Sequence, residues 1–278
     1  MSRVAKIVSF LPGSFKDPLR ERYWQIKSRF LYQTLYRWLH LEHTLRSGLT
    51  VKIASAGEWW TYNDIFVDGE YDLAIRMGIK TLPRERSLVV LDLGANVGYF
   101  AFRILDLLTS ENVSLDITMV EGSPKTFAEL EKRLSSERQR RGRETLICGL
   151  VGHHKGSAFI RESAIHVKSR MVKEAALGTK VDFVDLNSAM KDKPEIDLLK
   201  CDIEGSELLF IQNYPDLLRK VRHAVFELHH DQCDTKESVK RLENLGFQGT
   251  VLRDCGSFSV NLFSRKLPPE VAEKEQPR

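Results

Sequence analysis

The sequence predicts a doubly wound α/β fold built on a mostly parallel sheet. Three observations carry this. From Ser87 onward, strand-length apolar runs alternate with helix-length segments. The first run, Leu88-Val-Val-Leu-Asp-Leu93, leads through a glycine turn into a helix. The chain then closes on two alternating segments joined by a Gly-containing turn, the pattern of an antiparallel hairpin.

Taken in order, residues 17–46 contain no Gly and no Pro beyond Pro18. Leu19, Tyr23, Ile26, Phe30, Leu35 and Trp38 recur at helical spacing, which predicts an amphipathic helix, in one piece or two. Its polar face is basic, with Arg20, Arg22, Lys27, Arg29 and Arg37. An apolar stripe of this kind faces a core, so the helix is expected to dock on its own domain or on a sister subunit of a homo-oligomer. Residues 51–68 are rich in aromatic and β-branched types and predict a hairpin or two short strands around Gly57. A helix is predicted over residues 71–79.

The alternation then predicts strands at 88–93, 116–121, 144–148, 158–162, 196–202 and 224–228, with helices over 100–108, 124–134 and 207–213. Residues 249–254 and 257–263 form the closing hairpin. The polar tail 267–278 is expected to stay unstructured. Residues 1–80 therefore read as a helical and hairpin extension, and residues 81–266 as the main domain.

Composition narrows the class. With 42% hydrophobic and 29% charged residues the chain is globular rather than disordered or fibrous. A net charge of +4 is too mild to signal a nucleic-acid or membrane partner. Cys148, Cys201, Cys233 and Cys255 are scattered without Cys-x-x-Cys spacing, which argues against a disulfide framework or a zinc ribbon. No apolar run reaches membrane-spanning length, and Pro12 interrupts the start too soon for a secretory leader, so a cytoplasmic protein is expected.

Leu91-Asp92-Leu93-Gly94-Ala95-Asn96-Val97-Gly98-Tyr99 sits where doubly wound folds bind nucleotides. Asn96 replaces the second glycine of G-x-G-x-x-G, and Tyr99 stands where a P-loop requires lysine. A pyrophosphate would call for a nearby Lys or Arg, and none occurs from Asp92 to Ala101. S-adenosylmethionine carries a sulfonium and an ammonium instead of phosphate, so Asp92 suits its cationic end. Glu121 ends the next strand, the position of a carboxylate that accepts ribose hydroxyls.

A second acidic cluster, Lys200-Cys-Asp202-Ile-Glu204-Gly-Ser-Glu207, ends a later strand. Period two places Asp202 and Glu204 on one side, facing the crevice, where they can hold a cation or take a proton. Glu207 fits the first turn of a helix. Lys200, in an apolar strand, needs a carboxylate partner such as Asp202 or Glu227. His229 or His230 would supply a base at neutral pH. Adjacent residues rarely converge on one ion, so His229, His230, Asp231 and Cys233 are not read as a metal site, and no metal is expected. The Cys-Asp-Ile-Glu-Gly strand end lacks the Pro-Pro motif of base-amine methylation, and no Gly-x-Ser-x-Gly elbow occurs.

Asp92-Leu-Gly-Ala-Asn-Val-Gly-Tyr-Phe and Lys200-Cys-Asp-Ile-Glu-Gly-Ser-Glu207 together resemble the FkbM family of methyltransferases, in motif order and spacing, over roughly residues 88–247. The resemblance implies the class I methyltransferase sheet, Rossmann-like, seven-stranded, with its last strand antiparallel. It implies S-adenosyl-L-methionine as cofactor and O-methylation of a hydroxyl on a sugar, polyketide or other small metabolite. By position, Asp92, Gly94, Asn96, Gly98 and Glu121 match cofactor contacts, and Asp202 and Glu204 match active-site carboxylates; the residues themselves add Asp202 to the cofactor contacts and His229 to the catalytic candidates. Residues 1–80 depart from the family core, and the Gly69-Glu-Tyr-Asp72 segment is read as a lid or substrate wall. Two rivals stand beside this: RNA methylation, suggested by Lys132-Arg133 and the Arg138–Arg143 run, and a non-catalytic cofactor-binding scaffold.

Overall fold

The computed structural model describes residues 36–39, 41–83, 86–111, 113–136, 142–161, 170–172 and 178–265. Most of the predicted N-terminal helix and the tail from residue 267 lie outside these. The helix α1 (Tyr36–Leu39) ends short of the predicted residue 46, because strand β1 (Leu41–Thr44) pairs antiparallel with β2 (Thr50–Ile53). Leu45, Leu49 and Val51 are buried in the core around this turn, and that burial overrides helical spacing.

The hairpin expected around Gly57 is instead a helix, α2 (Ala56–Tyr62), which runs on into a π-helical turn over Asn63–Val67. Its cause is local. Ser55 Oγ accepts from Glu58 N at 3.2 Å, and Glu58 Oε2 accepts from Ala54 N at 2.8 Å, a reciprocal cap that starts a helix. Next, α3 (Asp72–Lys80) matches the predicted helix to within a residue at each end.

The main sheet contains β3 (Leu88–Leu93), β4 (Leu115–Glu121) and β5 (Gly142–Cys148), separated by α4 (Tyr99–Leu107) and α5 (Pro124–Ser136). A small antiparallel sheet follows, made of β6 (Ser157–Arg161), β7 (Arg170–Val172) and β8 (Thr179–Asp182). The strand predicted at 158–162 therefore exists but belongs to this separate sheet. The chain then adds α6 (Leu186–Ala189), β9 (Ile196–Cys201), α7 (Glu207–Asn213), α8 (Pro215–Arg219), β10 (Val221–His229), α9 (Thr235–Asn244), β11 (Phe247–Asp254) and β12 (Phe258–Arg265).

Strand order in the seven-stranded sheet is β11-β12-β10-β9-β3-β4-β5. β12 runs antiparallel to both its neighbours, and the pairs among β5, β4, β3, β9 and β10 are parallel. This is the class I methyltransferase arrangement. The chain walks outward from β3 to β5 and returns to β9 on the other side of β3, leaving a crevice above the β3/β9 junction.

All six residues of β3 are buried, as a strand covered on both faces requires. Leu88 and Val90 join one core with Ile75, Phe100 and Leu198, whereas Leu91 and Leu93 join a second core with Leu199, Phe210 and Phe226. Each fully buried Leu or Ile contributes about 1.5–3 kcal/mol. Ile65, Tyr71, Ala74 and Ile75 belong to the first of these cores, so α2 and α3 form a layer of the main domain. No helix among the described residues is long and apolar enough to cross a membrane.

Candidate active site

The crevice opens at the ends of β3, β4, β9 and β10. The turn after β3 passes through left-handed backbone at Gly94 (φ +77°), Asn96 (φ +50°) and Gly98 (φ +89°). A Cβ on Gly94 would lie 1.8 Å from the Asp202 carbonyl oxygen, so glycine is required both for the dihedral and for the close approach to the end of β9. Val120 O accepts from Gly94 N and Ala95 N at 2.9 and 3.0 Å, which locks the turn to β4.

Glu121 closes this corner. Its Oε2 accepts from Asn96 N and its Oε1 from Ser123 N, each at 2.8 Å. Burial raises its pKa, and these two backbone donors pull against that rise. The carboxylate is thus rigidly presented, with lone pairs left for further donors. Beside it, Asn96 Oδ1 is buried and has no hydrogen-bond partner among the described residues.

Lys200 crosses beneath the crevice. Register pairs it with Asp92 on the neighbouring strand, and its Nζ donates to Gly94 O at 2.6 Å. The same ammonium lies 3.5 Å from Asp92 Oδ1 and 3.4 Å from Asp202 Oδ2. Burial lowers the lysine's pKa, but Asp92, Asp202 and Glu227 outweigh it and hold the group above its ordinary value. Asp92 is fully buried, and that burial raises its own pKa. It lies below the residues that line the cavity.

Strand β9 ends at Cys201, so Asp202 and Glu204 are not placed by strand periodicity as expected. They sit in the following turn, where Glu204 adopts φ +52°, an uncommon conformation for a residue with a side chain. Both still line the cavity. Glu207 is fully buried; its Oε1 accepts from Gly205 N at 3.0 Å and faces His229 Nδ1 at 3.1 Å. Nε2 of His229 points the other way, 3.5 Å from Glu227 Oε1 and 3.6 Å from Glu204 Oε2.

Burial pulls the His229 pKa down, but Glu207 and the neighbouring carboxylates push it up to about 9. Glu227 is pushed up to about 9 by burial and by Asp202. His230 points elsewhere, its ring against Thr235 Oγ1 at 3.3 Å, so the two histidines do not converge.

The cavity measures about 320 Å³. Its wall carries the carboxylates of Asp64, Glu70, Glu121, Asp202, Glu204 and Glu227, against Lys200 as the basic side chain among the described residues lining it. Asp64 and Glu70 are each 2.8 Å from Arg253 Nη1, which neutralises that edge. Glu70 and Tyr71, from the segment read as a lid or wall, do line the cavity, and so do Trp60, Thr61, Asp64 and Ile65. Those last four were hidden in the misassigned hairpin, and the readable signal was the Ser55-x-x-Glu58 cap.

Arg133, part of the basic run, points inward. Its side chain is 7% exposed and donates to Glu58 Oε2 and Lys52 O, each at 2.8 Å. It is not on offer to a nucleic acid, and residues 138–141 of the run lie outside the described residues.

No curated protein sequence matches the chain significantly. Solved structures similar to it include an FkbM methyltransferase from Methylobacillus flagellatus KT, at 15% identity and TM-score 0.45, covering 66% of this chain and 45% of that one. Another is the magnesium protoporphyrin IX methyltransferase of Synechocystis PCC 6803, at 12% identity and TM-score 0.42, covering 87% and 99%. A third is the human methyltransferase 10 domain containing protein, at 14% identity and TM-score 0.46, covering 92% and 99%. The family model of the Methyltransferase FkbM domain matches residues 92–249, which takes in the glycine turn, Glu121, the Lys200–Glu207 run and His229. The chain belongs to the FkbM methyltransferase family.

Proposed function

We propose that the chain is an S-adenosylmethionine-dependent O-methyltransferase acting on a hydroxyl of a small-molecule or saccharide acceptor in the cytoplasm. One observation carries the choice of cofactor: among the described residues the cavity wall is anionic, and its basic side chain, Lys200, is already engaged by Asp92, Asp202 and Gly94 O. A dinucleotide or nucleoside triphosphate would meet repulsion there, whereas a nucleoside with cationic substituents meets attraction.

The residues fit such a group. The turn at Gly94, Asn96 and Gly98 lets a ligand approach the backbone, Glu121 offers anchored lone pairs to ribose hydroxyls, and Asn96 Oδ1 awaits a donor. Asp202 offers a carboxylate to the cationic end, with Asp92 and Lys200 setting the shape of the turn from below. When bound, S-adenosylmethionine supplies a methyl group activated for displacement by its sulfonium.

The chain's own part is orientation and proton removal. Trp60, Ile65, Tyr71 and Phe258 line the cavity and hold the acceptor against the methyl-bearing side, with water displaced. Glu204, in the same wall as Asp202, takes the proton of the acceptor hydroxyl at a carboxylate oxygen.

Calorimetry with S-adenosylhomocysteine, followed by labelled-methyl transfer to a panel of hydroxyl acceptors, tests this. Binding in the micromolar range is expected, weakened about 10- to 100-fold by Glu121→Ala as charge-assisted bonds are lost. Tight NADH binding in place of S-adenosylhomocysteine would defeat the cofactor assignment. Transfer only to nitrogen would defeat the oxygen assignment, and binding without turnover on any acceptor would favour a scaffold.

A further inference from the structure

Asp202, Glu227 and His229 each offer one ligand atom, and those atoms all lie within 4.8 Å of one another. Ligands held about 2.1 Å from an octahedral cation stand roughly 3.0–4.3 Å apart. At most one of the three pairs can stand trans, so the group closes on an ion by side-chain rotation that draws its other pairs in toward about 3.0 Å. We propose that these three side chains hold one divalent cation of the Mn²⁺ class at the edge of the cavity, with its other coordination positions open to the acceptor.

A second, independent feature is the orientation of the imidazole. Glu207, fully buried and tied to Gly205 N, faces His229 Nδ1 at 3.1 Å. That contact leaves Nε2 as the presented nitrogen, in the manner of carboxylate-oriented metal ligands. It is Nε2 that stands 3.5 Å from Glu227 Oε1. Glu207 lies in the sequence run shared with the acidic cluster, but its carboxylate serves the histidine on β10.

Charge points the same way. Asp202, Glu204 and Glu227 share one corner of the cavity, and the nearest ammonium, Lys200, is divided among Asp92, Asp202 and Gly94 O. Like charges gathered at this spacing repel at low dielectric, and a dication offsets the repulsion. Two carboxylates and an imidazole suit Mn²⁺ better than the all-oxygen cages preferred by Mg²⁺ or Ca²⁺. An ion here would face the acceptor oxygen and offset the negative charge that develops as its proton leaves, a role that rests on the methyl-transfer reading. Binding of the ion does not depend on it.

The test uses the full chain, stripped with EDTA and desalted, then titrated with Mn²⁺ by electron paramagnetic resonance. One equivalent of Mn²⁺ should be withdrawn from the free-ion signal. Glu227→Gln and His229→Gln should each weaken binding about tenfold or more, and Glu207→Gln should do so through the histidine it orients. Circular dichroism and S-adenosylhomocysteine calorimetry on the same samples report folding and the cofactor site separately. If the chain binds S-adenosylhomocysteine but withdraws no Mn²⁺, or if Glu227→Gln and His229→Gln bind Mn²⁺ as tightly as the parent, the metal site is wrong and the methyltransferase reading survives. Stoichiometric Mn²⁺ binding sensitive to these variants, without S-adenosylhomocysteine binding, upholds the metal site and counts against the cofactor reading.

Discussion

Lys200 Nζ stands 3.5 Å from Asp92 Oδ1 while donating to Gly94 O at 2.6 Å, so one buried ammonium ties the end of β9 to the turn that follows β3. The pair is the strut on which the cavity floor rests. Lys200→Met should leave Asp92 as a buried, uncompensated charge and cost about 3–5 kcal/mol in urea unfolding. Adding Asp92→Asn should recover most of that loss. Losses that simply add in the double variant would show that the two residues are not coupled.

The turn itself admits no side chain at its first glycine. Gly94→Ala must place a Cβ 1.8 Å from Asp202 O at φ +77°, so it should abolish S-adenosylhomocysteine binding and lower the melting temperature sharply. Gly78, inside α3, is the control: an added Cβ would meet Leu198 and Leu88 only at 3.5 and 3.6 Å. Gly78→Ala should raise stability by about 0.5–1 kcal/mol, the helix-interior gain of alanine over glycine. Differential scanning calorimetry on both variants decides it.

A buried ion pair fastens the β1–β2 and α2 layer to the rest. Glu58, 4% exposed, joins Arg133 Nη2 at 2.8 Å and lies 3.2 Å from the Tyr99 hydroxyl. Glu58→Ala should cost about 3–5 kcal/mol because it strands the arginine, whereas Ser55→Ala should cost only about 1 kcal/mol as a lost cap. Equal losses in chemical denaturation would mean that the ion pair does not act as a fastener.

Stability should also fall with acid in a defined window. His223 is buried between Thr81 Oγ1 and Ser264 Oγ, each at 2.9 Å, and burial together with Arg222 pushes its pKa down to about 4 from an ordinary 6.5. Below pH 6.5 the unfolded chain binds a proton that the folded chain refuses. The stabilisation from the neutral ring is thus complete above pH 6.5 and is lost as the pH falls toward 4, at most on the order of 3 kcal/mol. His223→Gln should flatten this part of the stability-against-pH curve. An unchanged slope in the variant would assign the loss to other groups.

Much of the architecture was readable because it is written in local pattern. Strands buried on both faces, such as Leu88–Leu93 and Ile196–Cys201, must be continuously apolar. A glycine turn and an acidic strand end are also local signals, so the meeting of Gly94 and Glu121 at one crevice could be expected from sequence. What could not be read was anything decided by partners distant in the chain. The helix α2 was masked by its aromatic content, since Trp59, Trp60 and Tyr62 carry strand propensity that a two-residue cap overrides.

By itself, then, the sequence determined the sheet, its connections, the membership of the family and the corner of the sheet where the crevice opens. Tertiary structure alone decided that Asp92 lies under the floor instead of on the wall, that Arg133 turns inward to Glu58, and that Glu207 reaches His229 on another strand to aim its Nε2 at Glu227. The physical reason is range. Backbone patterning follows from burial of neighbouring residues, whereas the ionisation and direction of a buried charge depend on whichever groups the fold brings within a few ångströms.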